Sequence, residues 1–374
     1  MPVLAERLSR LRTELRGAGL DALLVSQPES RFYLSGYTGH DLPPRDSAGY
    51  LLVGLESAYL LTDRRTSEQA QLESGQQFEV VAYETRSLAP RRITELVRDT
   101  GARRLGFESI HLPYAIWAEV RACLNQVGNG LELLDAGTLV DRLRILKDAA
   151  ELARIQAAVD VVDRCFEHLA DWLRPGQTER QVAREIERYF LEHAEGPSFP
   201  SIVASGPNGS MPHAQPTDRT IAVGEAITID IGARVGAYCS DQTRTVCLGP
   251  PADGRLSALH AAVVQAQVAA ECGIRPGMTG QEADALARNA LAAAGYGEAF
   301  THGLGHGIGL EVHEPPWLSS STLGEQVLRP GMVFSVEPGA YLPGWGGVRM
   351  EDLVVLEEHG PRVLCQAPRE LVIR

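Results

Sequence analysis

The chain has 374 residues, 44% of them hydrophobic and 22% charged, and carries a formal net charge of −13. That length suits two domains with sizeable cores, while the acidity and the lack of any Lys/Arg cluster argue against nucleic-acid binding. No stretch approaches 18 uninterrupted apolar residues, so no membrane span is expected, and six cysteines without a C-x-x-C pair fit a reduced, cytoplasmic setting.

Leu4, Leu8, Leu11 and Leu15 recur at helical spacing among charges, which predicts an amphipathic opening helix ending at Gly17 or Gly19. The charges within it leave no signal-peptide core. Ala22-Leu23-Leu24-Val25 reads as a buried strand, Phe32 to Tyr37 follows, and Tyr50 to Val53 and Ser57 to Thr62 are strand-like. Phe78 to Ala82 and Arg104 to Phe107 are further candidate strands, with helices at Arg91 to Asp99 and Tyr114 to Asn125. The alternation predicts a small α/β domain over residues 1–140. Between two of its strands, Gly39 to Asp46 holds charges and two prolines, which predicts a stiff exposed loop.

Past residue 140 the pattern becomes helical, and a second domain is expected over residues 141–374. Ala149 to Leu173 is a helix stopped by Arg174-Pro175-Gly176, and the same turn recurs as Arg275-Pro276-Gly277. Each turn leads into a capping box, Thr178 with Gln181 and Thr279 with Glu282, and so into a second helix. A repeated helix, turn, cap and helix predicts an internal pseudo-twofold with a central site to which both halves contribute.

The residues suited to that site follow each helix pair. Ala226 to Gly232 alternates so that Ile227, Ile229 and Ile231 share one face and Asp230 the other, and Asp241, Thr243 and Thr245 share a face of the return strand. In the second half, Met332 to Glu337 puts Val333, Ser335 and Glu337 together, and Val348 to Leu356 does the same for Arg349, Glu351, Leu353 and Val355. Between them, T-H-G-L-G-H-G-I-G-L-E-V-H spans Thr301 to His313, where His302, His306 and His313 alternate with glycines that let backbone approach a ligand or another segment closely. Four carboxylates and one imidazole form a hard, oxygen-rich set. Four ionised carboxylates carry −4, which two divalent cations cancel and one does not.

These motifs, together with Phe199-Pro200-Ser201-Ile202-Val203, Pro212-His213, Glu337-Pro338-Gly339 and Gly347 to Asp352, resemble the pita-bread metallopeptidase family in its Xaa-Pro peptidase branch, prolidase and aminopeptidase P. The resemblance implies an α+β fold, with a pita-bread catalytic domain behind a smaller α/β domain. It implies Asp230, Asp241, His306, Glu337 and Glu351 as ligands of two divalent ions, Mn²⁺ first and Co²⁺ or Zn²⁺ as substitutes, with Asp241 and Glu351 bridging and Glu337 moving protons. His213, His302 and His313 would line the pocket, close to Tyr341 and Arg349, and the protein would act as a homodimer on small proline-containing peptides.

The same resemblance separates dipeptidases from aminopeptidases. Many prolidases carry an arginine four residues after the third histidine, to hold the dipeptide's carboxylate; here the position is Trp317. The loop with Asp41 and Arg45 is a second candidate for reading substrate charges. An Xaa-Pro dipeptidase is the expected activity, with an Xaa-Pro aminopeptidase as the alternative. A non-catalytic module and a metal-free creatinase-like hydrolase are disfavoured because all five ligands are present.

Overall fold

The computed structural model describes residues 2–41, 47–127 and 130–373. Its chain divides into two compact units, Met1–Arg144 and Ile145–Arg374. Among the described residues no helix is long and apolar enough to cross a membrane.

The first unit is built on a mixed sheet in the order Glu79–Tyr83, Ala58–Asp63, Tyr50–Gly54, Ala22–Val25, Arg104–Phe107, Glu132–Asp135. The three central strands pair antiparallel, and the outer ones join in parallel. All four residues of Ala22–Val25 are buried, which is why that strand is continuously apolar rather than alternating. Helix Ala89–Thr100 lays Ile93, Leu96 and Val97 on this core. The Phe32 to Tyr37 run lies mostly in helix Pro28–Ser35, which starts with proline in its first turn and ends at Gly36 with φ 74°.

The second unit contains the repeat. Helices Ala149–Trp172 and Glu179–His193 cover a sheet of Ile202–Ser205, Ile227–Ile231 and Gln242–Leu248, with Val372–Ile373 at its edge. Helices Gly254–Gly273 and Gly280–Ala293 serve the second half, whose sheet runs Glu314–Leu318, Gly305–Gly307, Val333–Val336, Asp352–Glu357, Gly360–Val363. Both capping boxes are formed, at Thr178 with Gln181 and at Thr279 with Glu282.

Strand alternation sorts side chains between the two faces of each sheet. Ile227, Ile229, Ile231 and Val246 join the core under the first helix pair, and Phe334, Val336, Val354 and Leu356 the core under the second. The opposite faces carry the polar residues. One expectation is corrected here: Val348 to Leu356 is not a single strand. Gly346–Arg349 pairs with Gly339–Leu342 in a hairpin of its own, and pairing resumes with Val333–Val336 only at Asp352. Met350 and Glu351 form the break, so Glu351 is carried on a bend between two sheets.

Candidate metal centre

Asp230 lies opposite Thr243 in the antiparallel ladder of Ile227–Ile231 with Gln242–Leu248, and Asp241 precedes that strand by one residue. The two aspartates therefore share a face but sit diagonally, not directly side by side. In the second half Val336 pairs with Asp352, so Glu337 and Glu351 are the next residues beyond the ladder. His306 sits mid-strand in Gly305–Gly307. A Cβ on Gly305 would collide with the carbonyl of Ser335, and one on Gly307 with that of Pro315. These glycines are thus required by neighbouring backbone, and they let the His306 strand lie closely between its partners.

The five residues converge. His306 Nε2 is 3.3 Å from Glu337 Oε1 and 3.7 Å from Asp241 Oδ2. Ligand atoms of Asp241, His306 and Glu351 all lie within 4.8 Å of one another, and all three residues are buried. Glu351 accepts from Thr243 Oγ1 at 2.7 Å, and Ser335 Oγ donates to Glu337 at 3.1 Å. Arg349 donates to Asp230 Oδ2 at 2.6 Å. Asp230 and Asp241 each keep one buried oxygen, Oδ1, without a hydrogen-bond partner.

The electrostatics state the same need for positive charge. Burial, then repulsion by Glu351, Asp230 and Glu337, pushes the Asp241 carboxyl well above the usual carboxylate range. Glu351 is raised by burial and by Glu337 and Asp230. Glu337 moves the other way: burial opposes it, but the His306 hydrogen bond and charge bring it down, and His306 rises in return. The cluster as a whole is thus short of positive charge. Arg349 adds +1 that a count of ligands alone omits, leaving −3, still more than one divalent ion cancels. Carboxylate oxygens without partners and an imidazole at these separations fit hard divalent ions.

The cluster opens into a cavity of about 710 Å³, whose wall includes His213, His302, His313, Trp317 and Arg349. His213 and His313 are exposed in it, and the His313 ring lies 4.2 Å from that of His306. Desolvation at the cavity wall holds the His302 and His313 imidazoles below their ordinary pKa, and the neighbouring His306 charge adds to this at His313. Tyr341 is not part of the wall; its hydroxyl accepts from Arg349 at 2.9 Å and donates to His302 Nε2 at 2.9 Å. Asp41 belongs to the first unit, where it pairs with buried Arg31 at 2.9 Å and accepts the Ala48 N–H, so its charge is compensated locally. Arg45 lies outside the described residues.

Three supporting residues were not singled out from the sequence. Lys147 and Glu314 form a buried pair at 2.9 Å beside His313. Arg288 reaches the carbonyl of His302 at 2.8 Å. Their partners are distant in sequence or on a loop, and only the D-A-L-A-R spacing of Asp284 and Arg288 on one helix face hinted at a pair.

Comparison with known proteins places this geometry. Residues 153–358 match the model of metallopeptidase family M24, and residues 7–146 that of the creatinase/prolidase N-terminal domain. The Xaa-Pro dipeptidase of Pyrococcus horikoshii is 33% identical over the whole of both chains. Among solved structures, an Xaa-Pro dipeptidase from Bacillus anthracis superposes with TM-score 0.92 at 36% identity, covering 99% of this chain and 100% of that one. An X-Pro aminopeptidase from Thermotoga maritima does so with TM-score 0.84 at 32% identity, covering 96% and 100%.

Proposed function

The chain belongs to metallopeptidase family M24, and we propose on that basis that it is a hydrolase that cleaves the Xaa-Pro bond of dipeptides. The observation that carries this reading is the buried cluster of four carboxylates and His306, with orphaned Asp230 and Asp241 oxygens, opening on a peptide-sized cavity. Relatives named Xaa-Pro dipeptidase match it end to end. An Xaa-Pro bond has no amide N–H and a fixed φ, so an enzyme that grips substrate as a strand cannot hold it. A shaped pocket can.

In this reading Asp230, Asp241, His306, Glu337 and Glu351 hold two divalent ions, for which we propose Mn²⁺. When bound, such ions polarise the scissile carbonyl and lower the pKa of water to near neutrality. Glu337, steadied by Ser335 and His306, carries a proton from the attacking water to the proline nitrogen, which must be protonated to leave. His213 and His313 offer imidazole donors to the developing oxyanion, and His302 forms the wall beside them. Arg349 keeps Asp230 oriented. Six unpaired cysteines support a reducing, cytoplasmic setting, and homodimer assembly, expected from the family resemblance, is checked by light scattering.

One observation favours the aminopeptidase alternative. Trp317 lines the cavity at the position where an arginine would take a dipeptide's carboxylate. Purified protein with Mn²⁺ is therefore offered Ala-Pro and Ala-Pro-Ala side by side. Cleavage of Ala-Pro is expected; cleavage of the tripeptide alone overturns the dipeptidase reading, and cleavage of neither overturns the enzyme reading.

A further inference from the structure

Helix Gly280–Ala293 carries an i,i+4 charge pair whose hydrogen bonds reach beyond the helix. Asp284 is 1% exposed, and a carboxylate taken so far from water needs compensation. Arg288, one turn on, supplies it as a fork: Nε to Oδ2 at 2.7 Å and Nη2 to Oδ1 at 3.0 Å. The remaining capacity of both groups is spent on one loop. Arg288 Nη1 donates to the Phe300 carbonyl at 3.1 Å and Nη2 to the His302 carbonyl at 2.8 Å. Asp284 Oδ1 accepts the Leu304 N–H at 3.0 Å. A single ion pair thus fixes three backbone points across five residues.

His302 lies between those points. The Arg288 guanidinium stacks 4.3 Å from the centre of the Phe300 ring, and Phe300 meets the His302 ring edge-on at 5.1 Å. The imidazole itself donates from Nδ1 to the Gly303 carbonyl at 2.8 Å and accepts the Tyr341 hydroxyl at Nε2. Its tautomer and its plane follow from where residues 300–304 are held. Arg288 itself lines the cavity, while Asp284 does not, so the pair is anchored behind the wall and ends on it.

We infer that the Asp284–Arg288 pair is a positioning device for His302, with Arg288 a positioning residue that acts on the reaction through that imidazole. The inference rests on the hydrolase reading given above. Lysine cannot replace the arginine fully, because a point charge cannot hold the carboxylate as a fork while serving two carbonyls. Displacing a group in an active site by about 1 Å costs roughly 100-fold in rate.

The test is a double-mutant cycle on the Mn²⁺-loaded enzyme with Ala-Pro, using Arg288→Ala, His302→Ala and the pair together, with Arg288→Lys as the conservative variant. Arg288→Ala should lower kcat by about 10- to 100-fold with KM little changed and metal content unaltered, and Arg288→Lys should recover part of the loss. In the His302→Ala background, Arg288→Ala should have almost no further effect. Equal losses in both backgrounds, or no loss in either, overturn the inference. Should Arg288→Ala fail to fold, the same cycle run with Arg288→Lys decides it. A wild-type enzyme that cleaves neither Ala-Pro nor Ala-Pro-Ala instead overturns the reading on which the inference rests.

Discussion

The two halves of the second unit are alike in their frame of helices and strands and unlike in the side chains that frame presents to the site. Gly176 and Gly277 occupy matching turns, with φ 90° and 92°. Their amides donate to Ile221 at 3.0 Å and Leu328 at 2.9 Å, and Ile221 and Leu328 each return a hydrogen bond at 2.8 Å, to Gln177 and Met278. Isolated bridges pair Thr178 with Thr220 and Thr279 with Val327. Past the second helix the strand order is shared as well: Ile202–Ser205, Ile227–Ile231 and Gln242–Leu248 match Gly305–Gly307, Val333–Val336 and Asp352–Glu357, and each half sets a small hairpin between the last two of these strands. What differs is what these segments carry. The first half, with a short hairpin of Arg234–Val235 and Tyr238–Cys239, gives two aspartates and the exposed His213. The second has the longer hairpin Gly339–Leu342 with Gly346–Arg349 and an added strand, Glu314–Leu318, beside its glycine–histidine strand, and so supplies His302, His306, His313, Tyr341 and Arg349. A duplicated frame tolerates this because its helices and caps are held by local forces, while the inserted segments answer only to the site.

The strongest way to break the comparison is at the carboxylates. Asp241 and Glu351 occupy corresponding places, one residue ahead of their strands, and both are raised by burial and by repulsion from neighbouring carboxylates. Asp241→Asn and Glu351→Gln should each lower kcat by about 1,000-fold, with metal content falling in parallel by atomic absorption. A tenfold or larger disagreement between them, on the order of 1.4 kcal/mol, would mean that the halves do not share the site equally. Next in size is metal removal. Dialysis against EDTA should abolish hydrolysis and lower Tm, and Mn²⁺ should restore both. Because both carboxyls are raised in the metal-free protein, binding must displace protons. Calorimetry should therefore find proton release, and tighter binding at pH 8 than at pH 6; affinity independent of pH would contradict the raised carboxyls.

How much of this was legible depends on the range over which each signal acts. Capping boxes and Arg-Pro-Gly turns lie within five residues, so the sequence displays them whole. Asp230 and Glu337 were identifiable because strand alternation sets each opposite an apolar face, and His306 because it sits in a short run of histidines and glycines. The break at Met350 and Glu351 was hidden for the opposite reason: Val348 and Val354 both face the same apolar core, and the alternation runs straight across the bend. In the first unit, helix Ser67–Ser74 buries only Ala70 and Ser74, and strand Glu132–Asp135 is a half-exposed edge, so neither carried a strong period. Glu179 resembled an ordinary acid in a first helical turn. Its partners lie 26, 29 and 38 residues away.

Glu179 sharpens the comparison at intermediate scale. Fully buried, it accepts from the backbone and hydroxyl of Ser205, from Asn208 and from the backbone and hydroxyl of Thr217, tying down the segment that holds His213. The corresponding residue of the second half is Gly280, whose amide pairs with Gln326 as that of Glu179 does with Arg219. Burial raises the Glu179 carboxyl, but the hydrogen bonds from Thr217 and Ser205 outweigh it and hold it below the ordinary value. The sign follows: the stabilisation is present above the unfolded carboxylate pKa and is lost as pH falls through the folded one. Glu179→Gln should cost about 2 kcal/mol at pH 7 and flatten the acid limb of the stability profile in urea titrations. An unchanged acid limb would place that titration elsewhere.

The finest test asks whether the helical frame is truly duplicated in energy as well as in shape. Thr178 accepts the Gln181 amide at 3.2 Å and Thr279 accepts that of Glu282 at 3.2 Å, with the N3 side chains returning bonds at 2.8 and 2.7 Å. Replacing either threonine with alanine removes one acceptor from the first turn and leaves a partly exposed N–H, which costs about 1 kcal/mol. The two substitutions should therefore shift the urea midpoint alike, within about 0.5 kcal/mol, and add in the double variant because they sit on separate helices. Neither should alter KM for Ala-Pro, since neither threonine lines the cavity. A larger loss at Thr279 than at Thr178 would show that the second half, which carries most of the inserted chemistry, depends more heavily on its helical frame than the first.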